Sequence, residues 1–151
     1  MQLKEKLKEL GLELPEPPAP GGNYSSVNIR GNIAYLSIQF PKKNGEFLYL
    51  GRFGEDLNTQ DGYKASQLCA LNILAHINKI PGLTNIVGLN HFDAYYQATP
   101  EWEDAPKVVD GASDLFINVL GEAGKHSRAI FGVYKLPKNF SVGITATFTV
   151  K

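Results

Sequence analysis

The chain has 151 residues, enough to bury one core without disulfides or metals, so we expect a single domain over residues 1–151. Its 15 Lys and Arg residues balance its 15 Asp and Glu residues, which leaves no broad positive field for a phosphate backbone and argues against a nucleic-acid partner. The single cysteine, Cys69, excludes an intrachain disulfide and a cysteine-rich zinc site, which fits a reducing compartment.

The amino-terminal residues 1–20 predict a short helix followed by a proline-rich arm. Leucines recur at helical spacing among lysines and glutamates over residues 2–10, and Gly11 ends the pattern. The prolines that exclude a helix or a central strand in the arm are Pro15, Pro17, Pro18 and Pro20. The segment has no apolar signal core, and no run of about 18 apolar residues follows it. We therefore expect a cytoplasmic protein with no membrane partner.

Two strands are predicted next, over residues 25–30 and 32–40, with a tight turn at Gly31. Apolar and polar residues alternate along the second strand, as in a sheet with one buried face. This alternation assigns Ser37 to the polar face, whereas Ile38 belongs to the apolar face.

A hairpin turn and a long helix follow. The Asn44-Gly45 pair predicts the turn, and a short strand is expected over residues 47–50. Residues 60–79 predict a helix that is apolar around most of its circumference, with Thr59 as its N-cap. We interpret Cys69 within this helix as a small buried hydrophobic residue and not as a nucleophile.

The remaining elements are strands with one further helix between them. Asp110 is interpreted as the N-cap of that helix, and Gly124 as its terminator. The predicted segments are a strand over 85–96, a helix over 110–123, a strand within 124–137 and a strand over 141–151. Two main helices are too few to cover both faces of such a sheet, so we predict an α+β fold in which both pack on one face of a mixed β-sheet. The other face still carries apolar residues, which favours an oligomer with sheets turned towards one another.

Five segments of the chain together match one protein family. They are Gly22-Asn23-Tyr24, "AYLSIQFP" at 34–41, "LCALNIL" at 68–74, "VDGASDLF" at 109–116 and "SRAIFGVYKLP" at 127–137. The chain resembles the RidA/YjgF family of reactive-intermediate (imine/enamine) deaminases, also labelled L-PSP endoribonucleases, and is most similar to its longer branch with an extra amino-terminal helix. The resemblance covers about residues 15–151. It implies a chorismate-mutase-like fold assembled as a homotrimer, with the sheets lining a central barrel and three clefts between neighbouring subunits.

The resemblance also implies a reaction, the hydrolytic deamination of small 2-imino or enamine acids to 2-keto acids and ammonia, without a cofactor or metal. Arg128 matches the family arginine that grips the carboxylate of the small ligand. A planar guanidinium can give a carboxylate two parallel charge-assisted hydrogen bonds, which lysine cannot reproduce.

Three other positions correspond to cleft residues of the family. Tyr24 matches a tyrosine that reaches into the cleft, and the alternative is an aromatic staple that holds the arm. Ser37 matches a cleft serine, but Ile38 replaces the glycine that follows it in the family. Asp110 falls where the family commonly has an asparagine, and a second possibility besides the N-cap is that its carboxylate holds Arg128 in place between ligands.

The chief departure from the family pattern is Gly143. Deaminating members have there a glutamate proposed to position or activate the water, and glycine cannot act as a base. Asp110 or Glu122 could replace it, or Arg128 and a water could suffice for a labile imine. The remaining alternative is a noncatalytic trimer that binds small carboxylates as a sensor or partner protein. Ribonuclease activity has no support from the balanced charge.

The three histidines, His76, His91 and His126, are too dispersed to suggest a metal site. We interpret His126, two residues before Arg128, as a surface histidine, with the mouth of the cleft as the alternative. Spacing alone supports no Ser-His-Asp arrangement.

Overall fold

The elements of the fold follow the predicted order. The computed structural model of the chain describes residues 2–151. In chain order the helices and strands are α1 (Gln2–Glu9), β1 (Val27–Arg30), β2 (Ile33–Gln39), β3 (Lys42–Lys43), β4 (Glu46–Phe47), α2 (Thr59–Asn78), β5 (Ile86–Tyr96), α3 (Ala105–Leu120), β6 (Ser127–Gly132) and β7 (Val142–Val150). None of the helices within these residues combines the length and the apolar character needed to cross a lipid bilayer.

Five strands form one mixed sheet in the order β1-β2-β7-β5-β6. The β5–β6 pair is parallel and the other pairs are antiparallel. Strands β3 and β4 form a separate hairpin, whose turn residues Asn44 and Gly45 have φ angles of 52° and 81°. The predicted mixed sheet and the predicted hairpin turn are both confirmed.

Helices α2 and α3 pack together and cover one face of the sheet. The apolar residues of β7 face them, as its alternation predicts; these are Val142, Ile144, Ala146, Phe148 and Val150. The two helices approach closely at Gly111, where a Cβ atom would lie 2.0 Å from the carbonyl oxygen of Tyr63. Cys69 of α2 is completely buried, and this burial raises the pKa of its thiol. The α+β architecture predicted from the sequence is confirmed.

The opposite face of the sheet, here called the open face, is both polar and aromatic. Thr145 and Thr147 lie at its centre beside His91 and Asp93. Towards the β6 edge, the ring of Tyr95 stacks on that of Phe131, with 5.4 Å between their centroids.

The alternation predicted for β2 breaks after Leu36. The pairing of β2 with β7 advances three residues along β2, from Leu36 to Gln39, but only two along β7. This is a β-bulge, in which one extra residue shifts the following side chains to the other face. Gln39 is therefore buried, whereas Ile38 is only partly buried. The prediction that Ile38 lies on the buried apolar face was wrong for this reason.

The start of α2 lies one residue before the predicted boundary. Its N-cap is Asn58 and not Thr59: the Asn58 side chain accepts a hydrogen bond from the Asp61 backbone, and the Asp61 carboxylate accepts one from the Asn58 backbone. Thr59 is the first helical residue, and its hydroxyl donates to the carboxylate of Asp104 at 2.8 Å.

Helix α3 begins at Ala105, five residues before its predicted start. Asp110 consequently lies in the second turn, so its predicted N-cap role is wrong and its carboxylate is available to other groups. The helix ends at Leu120, where the positive φ of 62° at Gly121 stops it. Gly124 ends a following 3-10 turn and not the helix.

Candidate functional site

Arg128 lies on the edge strand β6, and its side chain reaches towards α3. Its Nη1 donates to Asp110 Oδ1 at 2.9 Å and to Ser113 Oγ at 3.0 Å. The side chains of Arg128 and Asp110 are 25% and 49% exposed, so this ion pair stands at the boundary between core and solvent. Asp110 and Ser113 are one helical turn apart, which places both on the face of α3 that meets β6. Within one chain, therefore, Asp110 holds the guanidinium.

The opposite edge of the Arg128 guanidinium remains available. Both hydrogen bonds from this group use Nη1, whereas Nε and Nη2 donate to no acceptor within residues 2–151. These two nitrogens form the fork that matches the two oxygens of a carboxylate. The guanidinium is thus fixed at one nitrogen and can bind an anion through the other two.

The hydrogen bonding at Ser113 continues to His126. Ser113 Oγ lies 2.9 Å from His126 Nε2, and His126 Nδ1 lies 2.6 Å from the carbonyl oxygen of Gly124. The His126 ring also packs against Phe92, with 4.9 Å between the ring centroids. His126 is therefore a half-buried member of the Arg128 network, and its interpretation as a surface histidine was wrong. Ser113 was not predicted from the sequence as a site residue, although its spacing from Asp110 is that of one helix face.

Tyr24 and Ser37 line a cavity of about 300 Å³ at the other side of the fold. Its walls come from the proline arm, the bulge of β2 and the segment 137–140. The Tyr24 hydroxyl accepts a hydrogen bond from the backbone N–H of Gly21 at 3.0 Å, and its ring is half exposed. The Tyr24 side chain thus holds a turn at the end of the proline arm, as the staple interpretation expects, and it also faces the cavity.

Gly143 lies beneath this cavity wall and is closely covered. A Cβ atom at this position would lie 2.7 Å from Phe40 Cε1 and 2.8 Å from Ile38 Cδ1. The Phe40 ring in turn stacks on Phe140, with centroids 4.6 Å apart and planes 6° from parallel. The two departures from the family pattern, Ile38 and Gly143, therefore meet in space. A glutamate cannot enter position 143 unless these apolar side chains move.

Asp110 and Glu122, the two carboxylates that could replace the missing glutamate, are each paired with a positively charged side chain. Asp110 is tied to Arg128 through Oδ1. Glu122 forms an ion pair with Lys125 at 3.0 Å, and both of these side chains are largely exposed. The arrangement therefore offers a guanidinium that can bind an anion, while Asp110 and Glu122 are both paired with cations.

A single chain does not bring the four predicted site residues together. Across the neighbouring strands, Arg128 is in register with Phe92, Ala146 and Leu36. Three strand spacings therefore separate Arg128 from β2. At the usual spacing between strands this amounts to about 14 Å. We call the Arg128–Asp110 pair at the β6 edge and the Tyr24–Ser37 pair near β2 the two candidate half-sites.

A separate polar cluster lies on the open face. His91 Nδ1 is 2.7 Å from Ser127 Oγ, and His91 Nε2 is 2.8 Å from Asp93 Oδ1. The parallel register of β5 and β6 pairs His91 with Ser127, which residue spacing could not reveal. Because side chains alternate along a strand, Ser127 and Arg128 project to opposite faces. Among residues 2–151, no three His, Cys, Asp or Glu side chains are grouped to hold a metal ion.

Comparison with known proteins places this geometry in a family. Residues 4–149 match the family model described as "YjgF/chorismate_mutase-like, putative endoribonuclease". Protein TCP17 of Trypanosoma cruzi is 31% identical over 142 residues, covering 93% of this chain and 89% of that protein.

Two solved structures are similar along most of their length. The protein Atu1372 from Agrobacterium tumefaciens superposes with a TM-score of 0.92 at 35% identity, over 99% of this chain and 93% of that one. TdcF from E. coli, solved with bound serine, has a TM-score of 0.67 at 18% identity, over 89% of this chain and 93% of that one.

Proposed function

The chain belongs to the YjgF/chorismate-mutase-like family, and we propose from this premise that it binds small 2-imino acids through Arg128 and hydrolyses them to 2-keto acids and ammonia. The observation that carries the proposal is the partly buried Arg128, whose Nη1 is held by Asp110 and Ser113 while Nε and Nη2 remain available. A carboxylate placed on that fork gains two parallel charge-assisted hydrogen bonds. The serine bound in the E. coli relative TdcF, a small molecule with a carboxylate, supports this ligand class.

We propose that the binding site is completed between subunits of a homotrimer. The half-site at the β6 edge supplies Arg128, and the cavity with Tyr24 and Ser37 on a neighbouring subunit supplies the second wall. The separation of about 14 Å within one chain supports this arrangement, because a small acid cannot contact both half-sites of the same chain. The family resemblance supplies the trimer as the assembly that brings them together.

The proposed reaction needs no group beyond water and the anion-binding arginine. Water adds to the imine carbon, the C–N bond breaks, ammonia leaves with the transferred protons, and the carbon becomes a ketone. Arg128 orients the acid and offsets its negative charge next to the reacting carbon. Since Gly143 bears no carboxylate and Asp110 is paired with Arg128, the proposal assigns no protein general base.

A second candidate function is small-carboxylate binding without turnover. The packing of Ile38 and Phe40 over Gly143 favours it, because the place of the family's water-activating glutamate is filled by apolar atoms. In this case the chain would act as a sensor or partner protein on the same scaffold.

One set of assays separates these functions. Release of 2-keto acid is followed from an imine generated in place by an amino-acid oxidase, and binding of 2-oxobutanoate is measured by calorimetry. The wild type should exceed buffer and Arg128→Ala should not, whereas Arg30→Ala, which removes an exposed arginine on β1, should retain the wild-type rate. Wild type equal to buffer, with 2-oxobutanoate still bound through Arg128, would establish the noncatalytic function. Equal binding by wild type and Arg128→Ala would contradict both.

A further inference from the structure

The hydrogen bonds behind Arg128 extend into the core. We propose that Ser113 and His126 are positioning residues, which hold the Arg128 guanidinium in the orientation that binds a carboxylate. This inference rests on the proposed function, and it assigns roles to two side chains that need not touch the ligand. It follows from the direction of the hydrogen bonds, the burial of Ser113 and the packing of the His126 ring.

The hydrogen bonds run in one direction from Arg128 to the backbone. The Gly124 carbonyl can only accept, so His126 Nδ1 carries the proton of the 2.6 Å contact. In the neutral ring, Nε2 is then an acceptor and receives the Ser113 hydroxyl proton at 2.9 Å. The Ser113 oxygen is thereby left to accept from Arg128 Nη1 at 3.0 Å. Each donated hydrogen in this sequence has one acceptor, because Nη1 carries two hydrogens and meets Asp110 with one and Ser113 with the other.

Two acceptors on one nitrogen restrict how the guanidinium can turn. Asp110 Oδ1 alone would leave Arg128 free to swing about a single contact, on a carboxylate that is itself half exposed. Ser113 adds a second fixed point from the same helix. With Nη1 held at both, the Nε and Nη2 edge keeps one orientation towards solvent.

Burial makes His126 necessary for this arrangement. Ser113 is only 8% exposed, so its hydroxyl proton needs an acceptor inside the protein. His126 Nε2 supplies that acceptor, and Phe92 and Phe116 hold its ring, with centroids 4.9 and 6.3 Å away. Without it, Ser113 would turn its hydroxyl towards another acceptor, such as the Asp110 carboxylate that Arg128 now uses.

The test compares variants that differ in the acceptor. His126→Phe fills the aromatic pocket but offers no acceptor, His126→Gln places an amide oxygen near the former Nε2, and Ser113→Ala removes the link itself. Binding of 2-oxobutanoate is measured by calorimetry, and unfolding midpoints are measured in urea. We expect His126→Phe and Ser113→Ala to bind about three- to tenfold more weakly, the size of losing one ordinary hydrogen bond. His126→Gln should recover most of the wild-type affinity.

The outcome distinguishes this proposal from the proposed function. Wild-type affinity in folded His126→Phe or in Ser113→Ala would overturn the positioning role while Arg128→Ala still lost binding. Equal loss in His126→Phe and His126→Gln would overturn it as well, because the acceptor would then be irrelevant. If Arg128→Ala itself bound 2-oxobutanoate normally, the proposed function would fail. Should His126→Phe unfold, Ser113→Ala and His126→Gln carry the comparison alone.

Discussion

Ile38 and Gly143 lie far apart in sequence, yet Ile38 lines the cavity and packs directly on Gly143 behind it. Each departs from the family pattern, and the sequence shows these departures as two separate facts. In the structure the two departures are coupled, because the Ile38 side chain reaches the space that a Cβ atom at position 143 would need. A glutamate at position 143 would therefore also require a different packing of the side chain at position 38.

Gly143→Ala tests that packing at the scale of a single methyl group. The backbone of Gly143 does not have a positive φ, so any cost comes from the contacts with Ile38 and Phe40. We expect a loss of about 1–3 kcal/mol in the free energy of unfolding, measured in urea. The double variant with Ile38→Gly should lose less than the sum of the single changes. Thr145→Ala, at the next residue on the same face of β7, serves as the control. A wild-type unfolding midpoint for Gly143→Ala would contradict this account.

The sequence predicted single residues of the site better than their partners. Arg128 could be singled out because a guanidinium at the start of an apolar strand matches a family motif. Asp110 was identified as a residue that could hold it, and the structure shows that contact. Ser113 escaped notice and His126 was interpreted as a surface histidine, because hydrogen bonds across α3 and β6 depend on how a helix lies on a sheet. No spacing within the sequence records that.

At the scale of elements, the helices and strands were predictable, while the start of α3 and the bulge in β2 were not. The first turn of α3 begins at Ala105 and has a proline but no side-chain cap. The apolar residues used to predict the helix begin only near Asp110, so the sequence pattern did not reveal this turn. The bulge in β2 was likewise hidden, since alternation can be read along one strand but an extra residue is defined only against the partner strand.

Helix α2 and the proline arm meet at His76. This side chain is 9% exposed, and its burial lowers the pKa from the ordinary value of 6.5, while the carbonyl of Pro18 offsets part of that effect. One turn earlier, Asn72 donates to the carbonyl oxygens of Phe40 and Lys42, so the same helix face supports the arm side of the cavity.

Lower pH should weaken the fold through His76. Because its pKa is lower in the folded state, the unfolded state binds the proton more readily, and stability falls as the pH drops below about 6.5. His76→Gln removes this titration. We expect the wild type to lose more unfolding free energy than His76→Gln between about pH 7.5 and pH 5.5, as measured by urea unfolding at each pH. Parallel losses in the two proteins would show that His76 does not carry the effect.

At the scale of the whole molecule, the fold could be predicted from its pattern of elements, while the division of the site could not. Arg128 and Ser37 both match family motifs, but a sequence does not state which edge of the sheet each residue reaches. The strand order β1-β2-β7-β5-β6 puts Arg128 on the edge strand β6 and Ser37 three strands away on β2. Only this order shows that the predicted site residues of one chain lie in two separate places.

Mixed oligomers test the proposed arrangement directly. Arg128→Ala disables one half-site, and Ser37→Trp fills the cavity of the other, so neither variant alone should bind 2-oxobutanoate. Subunits refolded together in equal amounts should recover about a quarter of the wild-type sites, because a cleft works only where an intact Arg128 meets an intact neighbouring cavity. Calorimetry gives the number of sites, and light scattering gives the assembly, expected to be a trimer. A mixture that binds nothing would contradict a shared cleft.

The separation of the half-sites also links ligand occupancy to self-association. If a ligand contacts two subunits, it binds the assembled form and not the free chain, so mass action makes it stabilise the assembly that creates its own site. Dilution then lowers the apparent affinity even when no contact has changed, and abundant ligand protects the subunits from dissociating. The concentration of the small acid and that of the protein become two controls on one equilibrium.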